Sequence, residues 1–151
     1  MNEKHKLKLN EITEMNVEAD GVDRYRQELG AEGEALARGL LEEKGFRIVE
    51  QNFRCKIGEI DLICVRDKLL VFCEVKCRTS LMFGIPAEAV NSKKRRHIRR
   101  VASWYLTQKM RIKWLYDDFD MRFDVIEVVF VGEEHEINHI ENAFTDGQEE
   151  L

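Results

Sequence analysis

Proline is nearly missing from this sequence: Pro86 is the only one in 151 residues. The chain is also 44% hydrophobic and 35% charged, so disorder is excluded and one domain with a real core is expected. No apolar run approaches the roughly 20 residues that cross a bilayer, which leaves no transmembrane helix to predict. The opening stretch, Met1 to Asn16, lacks the apolar segment of a secretory signal, so a cytoplasmic location without a membrane partner is expected. Short paired cysteine spacing is absent too, which argues against a disulfide framework for the four cysteines. A zinc site at Cys64, Cys73 and Cys77 lacks a fourth ligand and a tight Cys pair, so buried thiols are the better account. His135 and His139 lack a third ligand and read as structural or surface residues.

Charge of one sign is missing from two long stretches. Between Asn91 and Lys113 there is no Asp or Glu, while Lys93, Lys94, Arg95, Arg96, Arg99, Arg100, Lys109, Arg111 and Lys113 all fall there. From Glu133 to the end there are seven acids and no Lys or Arg. The net charge of −5 argues against a nucleic-acid partner, but a phosphate backbone meets the local field, not the total. A charge run is usually a solvated helix face. An unbalanced run, without the acids that make i,i+4 pairs, is less usual and points to nucleic-acid contact.

Periodicity supplies the elements. Residues 1 to 27 read as a flexible or loosely helical extension. Leu29 to Lys44 carries Ala35, Leu36, Ala37, Leu40 and Leu41 at helical spacing, with Gly45 as the stop signal. Phe46 to Arg54 alternates like a strand. Gly58 to Arg78 reads as a hairpin apolar on both faces, with Ile60, Leu62, Cys64, Cys73 and Val75 on one side and Ile63, Val65, Leu70 and Phe72 on the other. Such strands belong to a central sheet covered by helices on each side. Thr79 to Asn91 is a loop in which Pro86 can open a helical turn. Ser92, a good N-cap, starts a helix to Met110 that buries Ile98, Val101, Ala102, Tyr105 and Leu106. Met121 to Val131 and His135 to Asn142 are two further strands, and residues 145–151 form an acidic tail read as disordered. The order α-β-β-β-α-β-β predicts an α/β sandwich around one mixed sheet.

Chemistry concentrates in the hairpin. With Asp67 and Lys68 as a two-residue loop, Arg66 faces Leu69, which sets Asp61 opposite Glu74 and Glu59 opposite Lys76. Glu74 and Lys76 project to one face and Val75 to the other. Opposed carboxylates repel. Two readings stand: a salt-bridged strand pair with Lys76 as counter-ion, or a site where a hard divalent cation such as Mg²⁺ or Mn²⁺ reverses the repulsion. In the second reading Asp61 and Glu74 are metal ligands together with a nearby backbone carbonyl, and Lys76 stabilises charge on a phosphorane or orients the attacking water. Glu34, near the start of the first helix, either faces solvent as a favourable first-turn acid or completes this site.

The ordered motifs G-x-x-G-E (Gly30 to Glu34), N-F-R (Asn52 to Arg54), G-E-I-D-L-I (Gly58 to Ile63), F-x-E-V-K-x-R (Phe72 to Arg78), F-G-x-P-x-E-A-V (Phe83 to Val90) and R-F-D-V (Arg122 to Val125) resemble the bacterial YraN-like family. Its members are predicted nucleases related to archaeal Holliday junction resolvases. The resemblance covers about Leu29 to Phe144. It implies a nuclease-like domain over residues 28–144, a restriction-endonuclease-like fold and a PD-(D/E)-x-K site. Asp61 matches the Asp of that pattern, Glu74 and Lys76 match the D/E-x-K, and Glu34 matches the acid on the first helix. Ile60 stands where the pattern has Pro. Arg122 and Asp124 match the family's R-F-D strand without a role that the residues themselves reveal.

Three functions compete at this point. The leading one is a metal-dependent endonuclease acting on DNA, including branched DNA. The second is a nucleic-acid-binding module of the same fold without turnover. The third is a protein-interaction subunit whose basic helix meets an acidic partner. A homodimer follows by analogy, since cutting two strands needs two sites.

Overall fold

The computed structural model describes residues 19–79, 90–108 and 118–145. Within them the order is α1 (Ala19–Glu43), β1 (Arg47–Arg54), β2 (Glu59–Arg66), β3 (Leu69–Thr79), α2 (Ser92–Gln108), β4 (Asp120–Val131) and β5 (Glu134–Phe144), the order that periodicity predicts. The strands lie side by side as β1-β2-β3-β4-β5. Only β3 and β4 pair in parallel; the other neighbours are antiparallel. A parallel pair needs a crossover, and α2 lies within it.

Each helix covers one face of the sheet. Tyr25, Leu29, Ala37 and Leu41 of α1 pack on Leu62, Cys64, Val71, Cys73, Ile126 and Val128. Ile98, Val101, Ala102 and Tyr105 of α2 pack on the opposite face, against Ile63, Phe72, Phe123 and Val125. The result is an α/β/α sandwich with a mixed sheet, consistent with the restriction-endonuclease-like class. Among the described residues no helix is long and apolar enough to cross a membrane.

Several local expectations change. α1 begins at Ala19 rather than Leu29 and runs back through residues assigned to the extension, because Tyr25 is buried in the core and anchors them. Ala35 is exposed, and the small residues facing the sheet are Gly33 and Ala37. Gly45, at φ 87°, ends the helix as expected, with Phe46 N donating to Leu41 O at 2.9 Å. The N-cap of α2 is Asn91, not Ser92: its Oδ1 accepts the Lys94 amide at 2.9 Å. Leu106 is half-buried. The Phe83 to Val90 motif, apart from Val90, and Lys109, Arg111 and Lys113 lie outside the described residues, as does residues 1–18 of the extension.

Candidate metal and nucleic-acid site

The hairpin register is the one the loop length demands. Arg66 pairs with Leu69 and Leu62 with Cys73, which sets Asp61 level with Glu74. Asp67 supplies the left-handed φ of 51° that so tight a loop needs, a conformation Asp tolerates. The Asp61 carboxyl accepts the Val75 amide at 2.8 Å and lies within hydrogen-bonding reach of Glu74. Burial and then the Glu74 charge push Asp61 up to about 7, opposed by the Val75 amide. Glu74 itself is buried, one of three polar side chains so placed in the described core with Thr79 and Asp124.

Ile60 departs from the expected pattern. It packs toward α2, whereas Leu62, two residues on, packs toward α1. A regular strand would set both on one face. The reversal falls on Asp61, between the pairs Gln51↔Leu62 and Phe53↔Ile60. Asn52, flanked by the same two pairs, has a left-handed φ of 52°. The β1–β2 ribbon thus turns over where Asp61 sits, which brings it within range of α1. Glu34 of α1 uses that turn: its carboxyl bonds to the Asn52 side chain and feels Asp61. Burial first and Asp61 second raise the Glu34 pKa. Glu34 approaches because Gly33 rests directly on β3; a Cβ on Gly33 would come within 2.0 Å of Cys77 Sγ. Glu34 is thus next to the carboxylate pair. Among the described residues, however, no three His, Cys, Asp or Glu side chains are grouped to hold a metal ion.

Lys76 lies two residues beyond Glu74 on β3 and opposite Glu127 of β4. It lines a cleft of ≈ 330 Å³ with Arg95, Glu127, Ile140 and Phe144. A counter-ion on Glu74 comes from outside the hairpin: Lys94 of α2 reaches Glu74 Oε1 at 2.7 Å. The basic helix divides accordingly. Arg95 Nε donates to Val90 O at 2.8 Å and Arg99 reaches Thr145 O at 3.3 Å, while Lys93, Arg96 and Arg100 form an exposed stripe at helical spacing. The first turn of α2 has no acid, so its cations stand against the helix dipole, an arrangement that an incoming anion would relieve. His97 escaped sequence reading. It sits against Gly58, where a Cβ would come within 2.0 Å of its Nε2, so the glycine of G-E-I-D is what admits the helix to the hairpin mouth.

The R-F-D strand acquires a role. Asp124 is fully buried and accepts four hydrogen bonds: Arg122 Nε at 2.8 Å, Arg122 Nη2 at 2.9 Å, His139 Nε2 at 2.7 Å and the Asn142 amide at 2.9 Å. His139 Nδ1 meets Lys44 Nζ at 2.8 Å. These residues tie the end of α1, β4 and the bulged β5 together. Cys64 and Cys73 are free thiols buried close by and hydrogen-bonded to each other, and the Cys77 thiol is pushed up to about 12, by burial first and Glu34 second.

Residues 33–128 match the model of Uncharacterised protein family UPF0102. A UPF0102 protein of Alkaliphilus oremlandii is 49% identical over 118 residues, covering 78% of this chain and 98% of the relative. Those of Alkaliphilus metalliredigens and Caldicellulosiruptor bescii are 45% and 44% identical, covering 77% and 78% of this chain and 96% and 98% of theirs. The match spans the helix bearing Glu34, the carboxylate hairpin and the basic helix, and this chain belongs to family UPF0102, the YraN family.

Proposed function

We infer that the protein is a cytoplasmic, divalent-metal-dependent endonuclease that hydrolyses phosphodiesters of DNA, branched DNA included. The observation that carries this reading is the pairing of Asp61 with Glu74, two crowded carboxyls with Lys76 on the same strand and a cationic helix beside them. Asp61 and Glu74 fit a hard ion of the Mg²⁺ or Mn²⁺ kind: two carboxylates, with the remaining positions left to a nearby backbone carbonyl, water and substrate phosphate. A bound divalent ion supplies polarisation of the phosphoryl group and a more acidic water. Lys76 holds positive charge where negative charge develops on phosphorus. Glu34 holds the Asn52 side chain and so supports the turn that presents Asp61. Lys93, Arg96 and Arg100 grip the phosphate backbone, and two copies would serve the two strands of a junction.

The test is cleavage of branched, single-stranded and duplex DNA with Mn²⁺, Mg²⁺ or EDTA. Wild-type protein should cut only with metal, and Asp61→Asn and Lys76→Ala should each lose at least about 100-fold. Metal-dependent cutting by both variants at the wild-type rate sinks the assignment. Salt-sensitive binding without cutting by the wild type leaves the non-catalytic binding module instead.

A further inference from the structure

Lys94 stands on the carboxylate that an ion would use. Its ammonium is 2.7 Å from Glu74 Oε1, and the Glu74 side chain is only 10% exposed against 37% for Lys94. The root of Lys94 is fixed by the Asn91 cap on its amide, while its four-carbon stem leaves the head able to swing. The side chains beside it on α2, Lys93 and Arg96, are exposed. A phosphate backbone lying on that turn would pass within reach of the same ammonium.

We propose that Lys94 couples nucleic-acid binding to metal binding: free of nucleic acid its ammonium occupies Glu74, and a bound phosphate draws it away so that Glu74 can take a divalent ion. The inference rests on the reading of Asp61 and Glu74 as the ion site. An ammonium and a divalent cation cannot both sit on one buried carboxylate oxygen without strong like-charge repulsion. The exchange trades one ion pair of Lys94 for another, carboxylate for phosphate, so neither state is overwhelmingly favoured, which is the condition for a switch. Because coupling between two ligands is reciprocal, metal should tighten nucleic-acid binding by the same factor that nucleic acid tightens metal binding. The device would keep the site short of metal until substrate arrives.

The test is calorimetric titration of Ca²⁺ into the full chain, with and without a saturating short DNA duplex, with a duplex-only blank. The proteins are wild type, Lys94→Met, Lys93→Met and Asp61→Asn. Lys93→Met removes the same charge one residue away. In wild type the duplex should tighten Ca²⁺ roughly 5- to 150-fold. Lys94→Met should bind Ca²⁺ more tightly than Lys93→Met without DNA and should lose most of the tightening by duplex. Equal Ca²⁺ affinity and equal tightening in the two lysine variants overturns the coupling while leaving the ion site in place. Ca²⁺ affinity unchanged by Asp61→Asn overturns the ion site and the coupling together.

Discussion

Two aspartates flank β3, one buried and one half-buried, and they live differently. Asp124 on β4 is fully buried and meets a guanidinium, an imidazole and a backbone amide, four hydrogen bonds in all. Asp61 on β2 receives one backbone amide and faces a second carboxyl, and it is pushed up to about 7. The first carboxylate has its charge answered from every side and acts as a clamp. The second is held against its own preference, which is the condition of a group waiting for a cation or a proton. The difference in burial, with the more buried carboxylate the better satisfied, does not separate structure from chemistry here. The identity of the neighbours does.

The sharpest way to break the contrast is to remove the answered carboxylate. Asp124→Ala strands Arg122, whose side chain is 16% exposed, and His139, at 3%. Breaking a buried network by one partner costs about 3–5 kcal/mol. Urea unfolding should show that loss at neutral pH, and a loss below about 1 kcal/mol would make the clamp unimportant.

Asp61→Asn should act in the opposite direction on stability while abolishing cleavage. The folded pKa of Asp61 lies above its ordinary 3.8, at about 7. Below about 4 the carboxyl is protonated in folded and unfolded chains alike, and nothing is lost. As pH rises toward 7 the unfolded chain releases this proton first, so folding weakens through that window and levels off above it. Asn cannot ionise, so the urea midpoint of the variant should gain on wild type between pH 4 and 7. Parallel midpoints across that range would mean that the two carboxyls are not in conflict. Glu34 is raised by burial first and by Asp61 second, so the substitution relieves it in part and it adds to the gain in the same direction.

The contrast also marks what sequence can and cannot convey. The meeting of Asp61 with Glu74 was legible, because a two-residue loop fixes the register of a hairpin and the alternation does the rest. The face of Ile60 was not, since one left-handed residue, Asn52, turns the ribbon over. Long-range partners were hidden for another reason. His139 meets Asp124 only because β5 folds back on β4, and Lys94 meets Glu74 only because α2 docks beside Gly58. No periodicity links positions joined by tertiary packing. The N-cap was misplaced by one residue because Asn91 and Ser92 are both good caps.

A smaller effect tests how α1 delivers Glu34. Gly33→Ala adds a methyl that would meet Cys77 Sγ at 2.0 Å and its Cβ at 3.3 Å. Overpacking of this kind costs about 1–3 kcal/mol. Adding Cys77→Ala should recover most of that loss in thermal unfolding, as coupled neighbours do. Without recovery, the penalty belongs to the helix and not to its contact with β3.

The smallest effect on stability separates the cations of α2 into those turned outward and those turned inward. Arg96 is exposed, so Arg96→Ala should stay within about 0.5 kcal/mol of wild type. If it grips a phosphate, the slope of log affinity against log salt for a short DNA duplex should fall by about 1. Arg95 holds Val90 O at 2.8 Å and walls the Lys76 cleft. Arg95→Ala should loosen the start of α2, with a smaller change in slope. Fluorescence anisotropy at four or more salt concentrations reads both slopes. Identical slopes would erase the division between the stripe and the tethers. No binding to DNA or RNA at low salt would hand the whole helix to an acidic protein partner, since its first turn carries cations and no acid of its own.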